Sequence, residues 1–156
     1  MLTLFTYNWQ VRNEWIEWCR PLANEELNRQ RTGGVGTILR TLAHIIDVEY
    51  SWIRAIQGKA DVEINLDAYT TIEKVEELSK RYHHEVIGYL KSPSFDDGHE
   101  MIEPAWMGGR LYDKNRILNH LIAHEIHHIG QLSIWSRELG IEPVSASLIE
   151  RHLQVH

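Results

Sequence analysis

The chain has 156 residues, 43% hydrophobic and 24% charged, which suits one globular domain over residues 1–156 with one core. A formal net charge of −6 and the lack of any Lys/Arg run argue against a general grip on nucleic acid phosphates. A single cysteine, Cys19, rules out an intrachain disulfide and points to a reducing, cytoplasmic compartment.

The opening stretch, MLTLFTYNWQVRNEW, has no basic start and no long apolar run, so neither a signal peptide nor a membrane anchor is expected. No segment reaches about 18 uninterrupted apolar residues, the length a membrane span requires. Helical periodicity first appears from about Leu4 to Arg20, where Phe5 or Tyr7, Val11, Trp15, Trp18 and Cys19 share a stripe. Pro21 kinks or ends this helix, and LANEELNRQ reads as one more helical piece. The glycines of TGGVG suggest a phosphate loop, but no Walker lysine follows and no strand precedes, so a flexible turn is expected.

A second long helix is predicted from about Gly36 to Gln57, with Leu42, Ile45, Ile46, Glu49, Trp52, Ile53 and Ile56 stepping along one side and Gly58 as its stop. The third spans about Thr71 to Leu90, with Thr70 and Glu73 as a capping box. Residues 92 to 111 carry turn residues without a clear period and are read as a short hairpin or a lid. The fourth long helix spans about Asp113 to Leu139, capped by Asp113 and stopped by Gly140 and Pro143. A short tail helix from about Ser145 to Leu153 is expected to follow. The fold class is therefore all-α, a four-helix bundle with one long irregular crossover between helices 3 and 4.

Ten histidines are present, and four of them fall between His120 and His128. On a helix His124, His127, His128 and Gln131 share one face, and His120 joins them a turn earlier. Ile117, Leu121, Leu132 and Trp135 border that face, which puts the histidines at the edge of the buried side. Imidazole is a common ligand for Zn, Ni, Cu or Fe, and two imidazoles at i,i+4 reach one ion, so His124 and His128 read as a metal pair. A catalytic site usually takes three protein ligands and keeps a position open, so a third ligand must come from elsewhere. Taken alone, His44 is an ordinary semi-buried histidine that happens to lie on a long apolar helix. His83, His84, His99, His152 and His156 carry weaker signals still.

His124 to His128 also spells H-E-x-x-H, the signature of a zinc metalloprotease, with Glu150 and His152 available downstream as a third ligand. That enzyme needs an edge strand to align its substrate, and this chain reads as almost entirely helical. The protease is therefore the least favoured alternative.

The segment HEIHHIGQLSIWSRELG, together with GTILRTLAHIIDVEYSWI, resembles the conserved helices of the DinB superfamily, the DinB/YfiT-like metalloproteins. The likeness runs over nearly the whole chain, including the separation of 80 positions between His44 and His124. It implies a four-helix bundle holding one divalent metal ion through three histidines, matched here by His44, His124 and His128. This changes the reading of His44 from packing residue to ligand. Zn, Ni, Fe and Mn all accept three imidazoles. Gln131 matches a glutamine that orients a water on the metal, His127 an extra histidine beside the site, and Arg137 and Gly140 a structural ending. A homodimer is also implied.

Members of this superfamily resemble thiol-dependent S-transferases or isomerases, or metal-dependent hydrolases. The favoured function is an enzyme that activates a small thiol or water for transfer to an electrophile, with a small-molecule substrate such as a low-molecular-weight thiol. The alternative is a non-enzymatic metal-binding stress-response protein, whose closed site would recruit His120 or His127 as a fourth ligand. DNA binding is suggested only by the family's name, and the net charge opposes it. Glu125 is a candidate proton shuttle or a solvated charge. Asp47 and Glu49 are candidate partners that fix an imidazole tautomer, although ordinary surface or cap charges suit them better. Trp15, Trp18, Trp52 and Trp135 read as packing residues, and Trp106 as a loop anchor or a wall of the pocket mouth.

Overall fold

The computed structural model describes residues 1–153. Its long helices are α1 (Leu2–Cys19), α3 (Ile38–Ile56), α4 (Ile72–Leu90) and α5 (Lys114–Glu138), with one short turn of helix, α2 (Asn24–Leu27), after the first. They pack as a bundle in which α3 touches α4 and α5 while α1 closes the other side against the same two helices. The expected all-α bundle is what forms. Two-residue strands β1 (Met101–Ile102) and β2 (Tyr112–Asp113) pair antiparallel within the 3–4 crossover, Met101 opposite Asp113 and Ile102 opposite Tyr112. The irregular segment is thus a hairpin, turned at Gly108 with φ +61, a conformation that suits glycine.

The helix ends follow from local chemistry. Thr37 Oγ1 accepts a hydrogen bond from the Arg40 amide at 3.1 Å, starting α3, and Asp113 Oδ1 accepts from the Arg116 amide at 2.9 Å, starting α5. The cap of α4 is Thr71, whose hydroxyl accepts from the Lys74 amide, so the Thr70–Glu73 capping box is corrected by one residue. Phe5, Val11, Trp15 and Cys19 on α1 are buried as their stripe predicts, and meet Leu39, Leu42, Ile46 and Ile53 from α3 and Leu118, Leu121 and Leu132 from α5.

The tail helix does not form among the described residues. Residues 141–153 lie along α1 as irregular chain with one turn at 148–151, because side chains of α1 claim carbonyls that a helix would need for its own ladder. Tyr7 donates to Ala146 O at 2.8 Å, Trp18 to Glu142 O at 2.9 Å and Gln10 to His152 O at 3.2 Å. Arg151 adds a bidentate pair with Glu14. His156 lies outside the described residues.

Candidate metal centre

α3 presents His44 toward α5, and α5 presents His124 and His128 one turn apart toward α3. Their Nε2 atoms converge. His44 to His124 is 3.1 Å, His124 to His128 is 3.1 Å, and all three donors lie within 4.8 Å of one another. Among the described residues this is the only group of three or more histidine, cysteine or carboxylate side chains gathered in this way.

The protonation of the three rings follows from their surroundings. The Gln131 Oε1 carbonyl can only accept, and it stands 2.8 Å from His128 Nδ1, so His128 carries its proton on Nδ1 and offers a lone pair at Nε2. Burial pushes the His44 ring down to about 4 and the His124 ring down to about 3, with the neighbouring imidazoles adding to both shifts. His128 is lowered too, chiefly by burial. Three neutral imidazoles result. With the His128 proton on Nδ1, the two 3.1 Å contacts leave room for one linear hydrogen bond among three nitrogens. A cation at their centre satisfies all three lone pairs. Nitrogens bound to one ion at about 2.0–2.1 Å with tetrahedral angles stand roughly 3.3 Å apart, close to the 3.1 Å of the His44–His124 and His124–His128 pairs. The donor set and its geometry fit a divalent metal.

The Gln131 carbonyl holds His128 and its amide donates to His127 Nε2 at 3.1 Å, so it fixes the orientation of a ring at the site. His127 is exposed and stands behind Gln131, outside the cluster of three. The TGGVG turn holds the other side of Gln131. Gly34 sits at φ +55, and a side chain there would come within 2.5 Å of Gln131 Oε1. Trp135 ties the same turn down by donating to Thr32 O at 3.2 Å. Gly34 therefore serves close backbone approach to α5.

Glu125, between the two histidines of the motif, is corrected. It is buried on the far side of α5, where it accepts from Arg12 Nε at 2.8 Å and Arg12 Nη2 at 2.6 Å. Arg12 Nη1 also donates to Glu49 at 3.0 Å, and Trp9 Nε1 donates to the other Glu49 oxygen at 2.8 Å. Glu49 is therefore tied to Arg12 and Trp9, with no hydrogen bond to an imidazole. One buried guanidinium joins α1, α3 and α5 through two buried carboxylates. Arg12 went unread in the sequence, although a charge in the middle of an apolar stripe was the available signal. Glu49 and Glu125 occupy matching stripe positions on the other two helices.

Asp47 forms no hydrogen bond to a histidine. It lines a separate cavity of about 190 Å³ with Ser51, Trp52, Asp61 and Trp106. Burial, reinforced by the Asp61 charge, raises its carboxyl to about 6. Trp106 packs edge-on against Trp52 with centroids 5.4 Å apart, anchoring the hairpin over α3. His120 is exposed, its ring 5.7 Å from that of His124. His83 packs edge-on against Trp9, His84 is exposed, and His99 pairs with Asp113. Glu150 and His152 line a surface cleft with Gln10 and Glu14 on α1, outside the histidine cluster. The arrangement a zinc protease needs is missing among the described residues. The motif's glutamate is sequestered, the third histidine lies upstream, and the strands are two residues long.

The family model of the DinB family matches residues 1–153. The YizA protein of Bacillus subtilis (strain 168) is 53% identical over 154 residues, 99% of this chain and 97% of that one. Among solved structures, a DinB-like protein from Bacillus cereus ATCC 10987 superposes with a TM-score of 0.72 at 21% identity, over 92% of this chain and 93% of that one. This last likeness concerns the fold.

Proposed function

This chain belongs to the DinB family, and from that premise we propose that it binds one divalent metal ion through Nε2 of His44, His124 and His128 and uses it as an enzyme, activating a small thiol or water for transfer to an electrophile. The observation that carries the reading is the convergence of three neutral imidazole nitrogens, two pairs at 3.1 Å and all three within 4.8 Å of one another. A divalent ion bound there would act as a Lewis acid and lower the pKa of a bound water or thiol toward neutrality.

The chain's own residues supply the frame. Gln131 holds the His128 ring in the tautomer that leaves Nε2 free, and Gly34 holds Gln131 from behind. A closed, purely structural site would recruit a fourth protein ligand, yet His127 is engaged with Gln131 and His120 lies outside the cluster of three. This supports an open site over the non-enzymatic alternative. The buried thiol of Cys19, pushed up to about 12 by burial, is no candidate nucleophile, so any reacting thiol comes from outside the chain. The homodimer belongs to the same proposal. It is supported by an exposed apolar line on α5, where Ile126 is 44% and Ile134 59% exposed.

The test is thiol consumption with epoxide and alkyl halide acceptors, using metal-loaded protein and protein stripped by chelator. The proposal expects a rate that needs both metal and His44. Equal rates from loaded and stripped protein across thiols, with no metal-dependent ester or amide hydrolysis either, would remove the enzyme reading.

A further inference from the structure

Beside the histidine cluster, a second feature has the form of a ligand site. The β1–β2 hairpin, α3 and the start of α5 line an open cavity of about 640 Å³, a size typical of small-molecule sites. Its walls are mostly apolar, formed by Trp52, Met101, Met107, Leu111 and Tyr112. Met101 and Leu111 are 53% and 56% exposed, so these walls face solvent among the described residues. Trp52 is the hub. Its ring packs edge-on against Tyr112 at 5.7 Å and against His120 at 6.2 Å.

The polar lining is ordered along α5. Arg116, His120, His124 and His128 follow one another at four-residue intervals and share one face. Arg116 and His120 line the cavity, and the next turn begins the histidine cluster. Arg116 forms no ion pair among the described residues. Asp113, the nearest candidate partner, already has both oxygens engaged, one by the Arg116 backbone amide and the other by His99 Nδ1 at 2.7 Å. An exposed guanidinium without an ion pair among the described residues thus lines an apolar cavity, beside the already engaged Asp113 carboxylate. At 1.5 Å of rise per residue, its Cα is about 12 Å along the helix axis from that of His124.

We propose that this cavity binds the electrophilic substrate and that the substrate is an amphipathic carboxylic acid. The carboxylate pairs with Arg116, an aromatic or alkyl body lies against Trp52 and Leu111, and the reacting end reaches past His120 to the histidine cluster. This rests on the metal-enzyme reading for the destination of the reacting end, whereas the binding itself does not require the metal. The body that fits spans roughly two helical turns, about 11 Å.

The test is calorimetric titration of metal-loaded and chelator-stripped protein with 1-naphthaleneacetate and with its neutral amide, in parallel with metal analysis. The acid is expected to bind about tenfold more tightly than the amide, the worth of one charge-assisted hydrogen bond. Arg116→Gln is expected to bring the acid down to the level of the amide and leave the amide unchanged. Leu111→Asp is expected to weaken both. No saturable binding by either probe overturns the proposal, as does an advantage for the acid that survives Arg116→Gln. Selective binding by a protein that takes up no metal would leave the cavity standing and remove the metal reading. Full metal occupancy without probe binding would do the reverse.

Discussion

Glu125 offers a sharp separation between a proteolytic motif and a bundle that merely contains its letters. In the structure Glu125 accepts two charge-assisted hydrogen bonds from Arg12, at 2.8 and 2.6 Å, and all the atoms involved are buried. Glu125→Ala removes both bonds but leaves Arg12 paired with Glu49 at 3.0 Å, so the guanidinium is not orphaned. The expected cost is about 3 kcal/mol, the lower edge of what breaking a buried ion pair costs. At this chain length that lowers Tm by roughly 6–12 °C. Glu125→Gln keeps one acceptor oxygen and should cost about 2 kcal/mol. Arg12→Ala leaves two carboxylates buried without a counter-ion, and about 5 kcal/mol or more of a total of 5–15 is expected to be lost. Urea denaturation ranks the three, and metal analysis accompanies it. The account expects the order Arg12→Ala, Glu125→Ala, Glu125→Gln in falling severity, with Glu125→Gln retaining its metal. Glu125→Ala within about 0.5 kcal/mol of wild type, the range of an ordinary surface substitution, would refute the reasoning.

Three further outcomes follow from the same geometry. His44 and His124 are held at about 4 and about 3 in the folded chain, against about 6.5 unfolded, so below 6.5 the unfolded state binds more protons. In metal-free protein the contribution of these two rings should therefore be fully present above pH 6.5 and be lost as pH falls toward 3, and denaturation midpoints across that window should depend less steeply on pH in His44→Ala. Gln131→Ala should weaken metal affinity 10–100-fold in a chelator competition, and Gly34→Ala should do so in the same direction by displacing Gln131; unchanged affinity in both would show that the His128 tautomer does not need them. Cys19 should resist a thiol-labelling reagent in the native protein and react once unfolded; native labelling at a free-thiol rate would contradict its burial.

Much of the bundle was legible because its helices announce themselves twice, by stripe and by end. Phe5, Val11, Trp15 and Cys19 on α1, and Leu42, Ile46 and Ile53 on α3, are buried where period and spacing put them. Asp113 caps α5 as read, because an aspartate side chain is a natural acceptor for a helix's first free amides. The pairing of His124 with His128 was readable from the chain alone, since one turn brings i and i+4 together. His44 was not, because contact across 80 residues leaves no trace in local periodicity; the family resemblance pointed to it. The tail misled for a related reason. Whether residues 145–153 coil depends on donors from Tyr7, Gln10 and Trp18, more than a hundred positions away. Glu125 was open between shuttle and surface charge because its partner, Arg12, sits on another helix.

The most direct test is metal content per chain, by elemental analysis, of wild type and His44→Ala purified without a histidine tag. The account predicts one divalent ion per wild-type chain and its loss in the variant, with both proteins folded. Full metal occupancy in His44→Ala, or a folded wild type that takes up none of Zn, Ni, Fe or Mn, would contradict it.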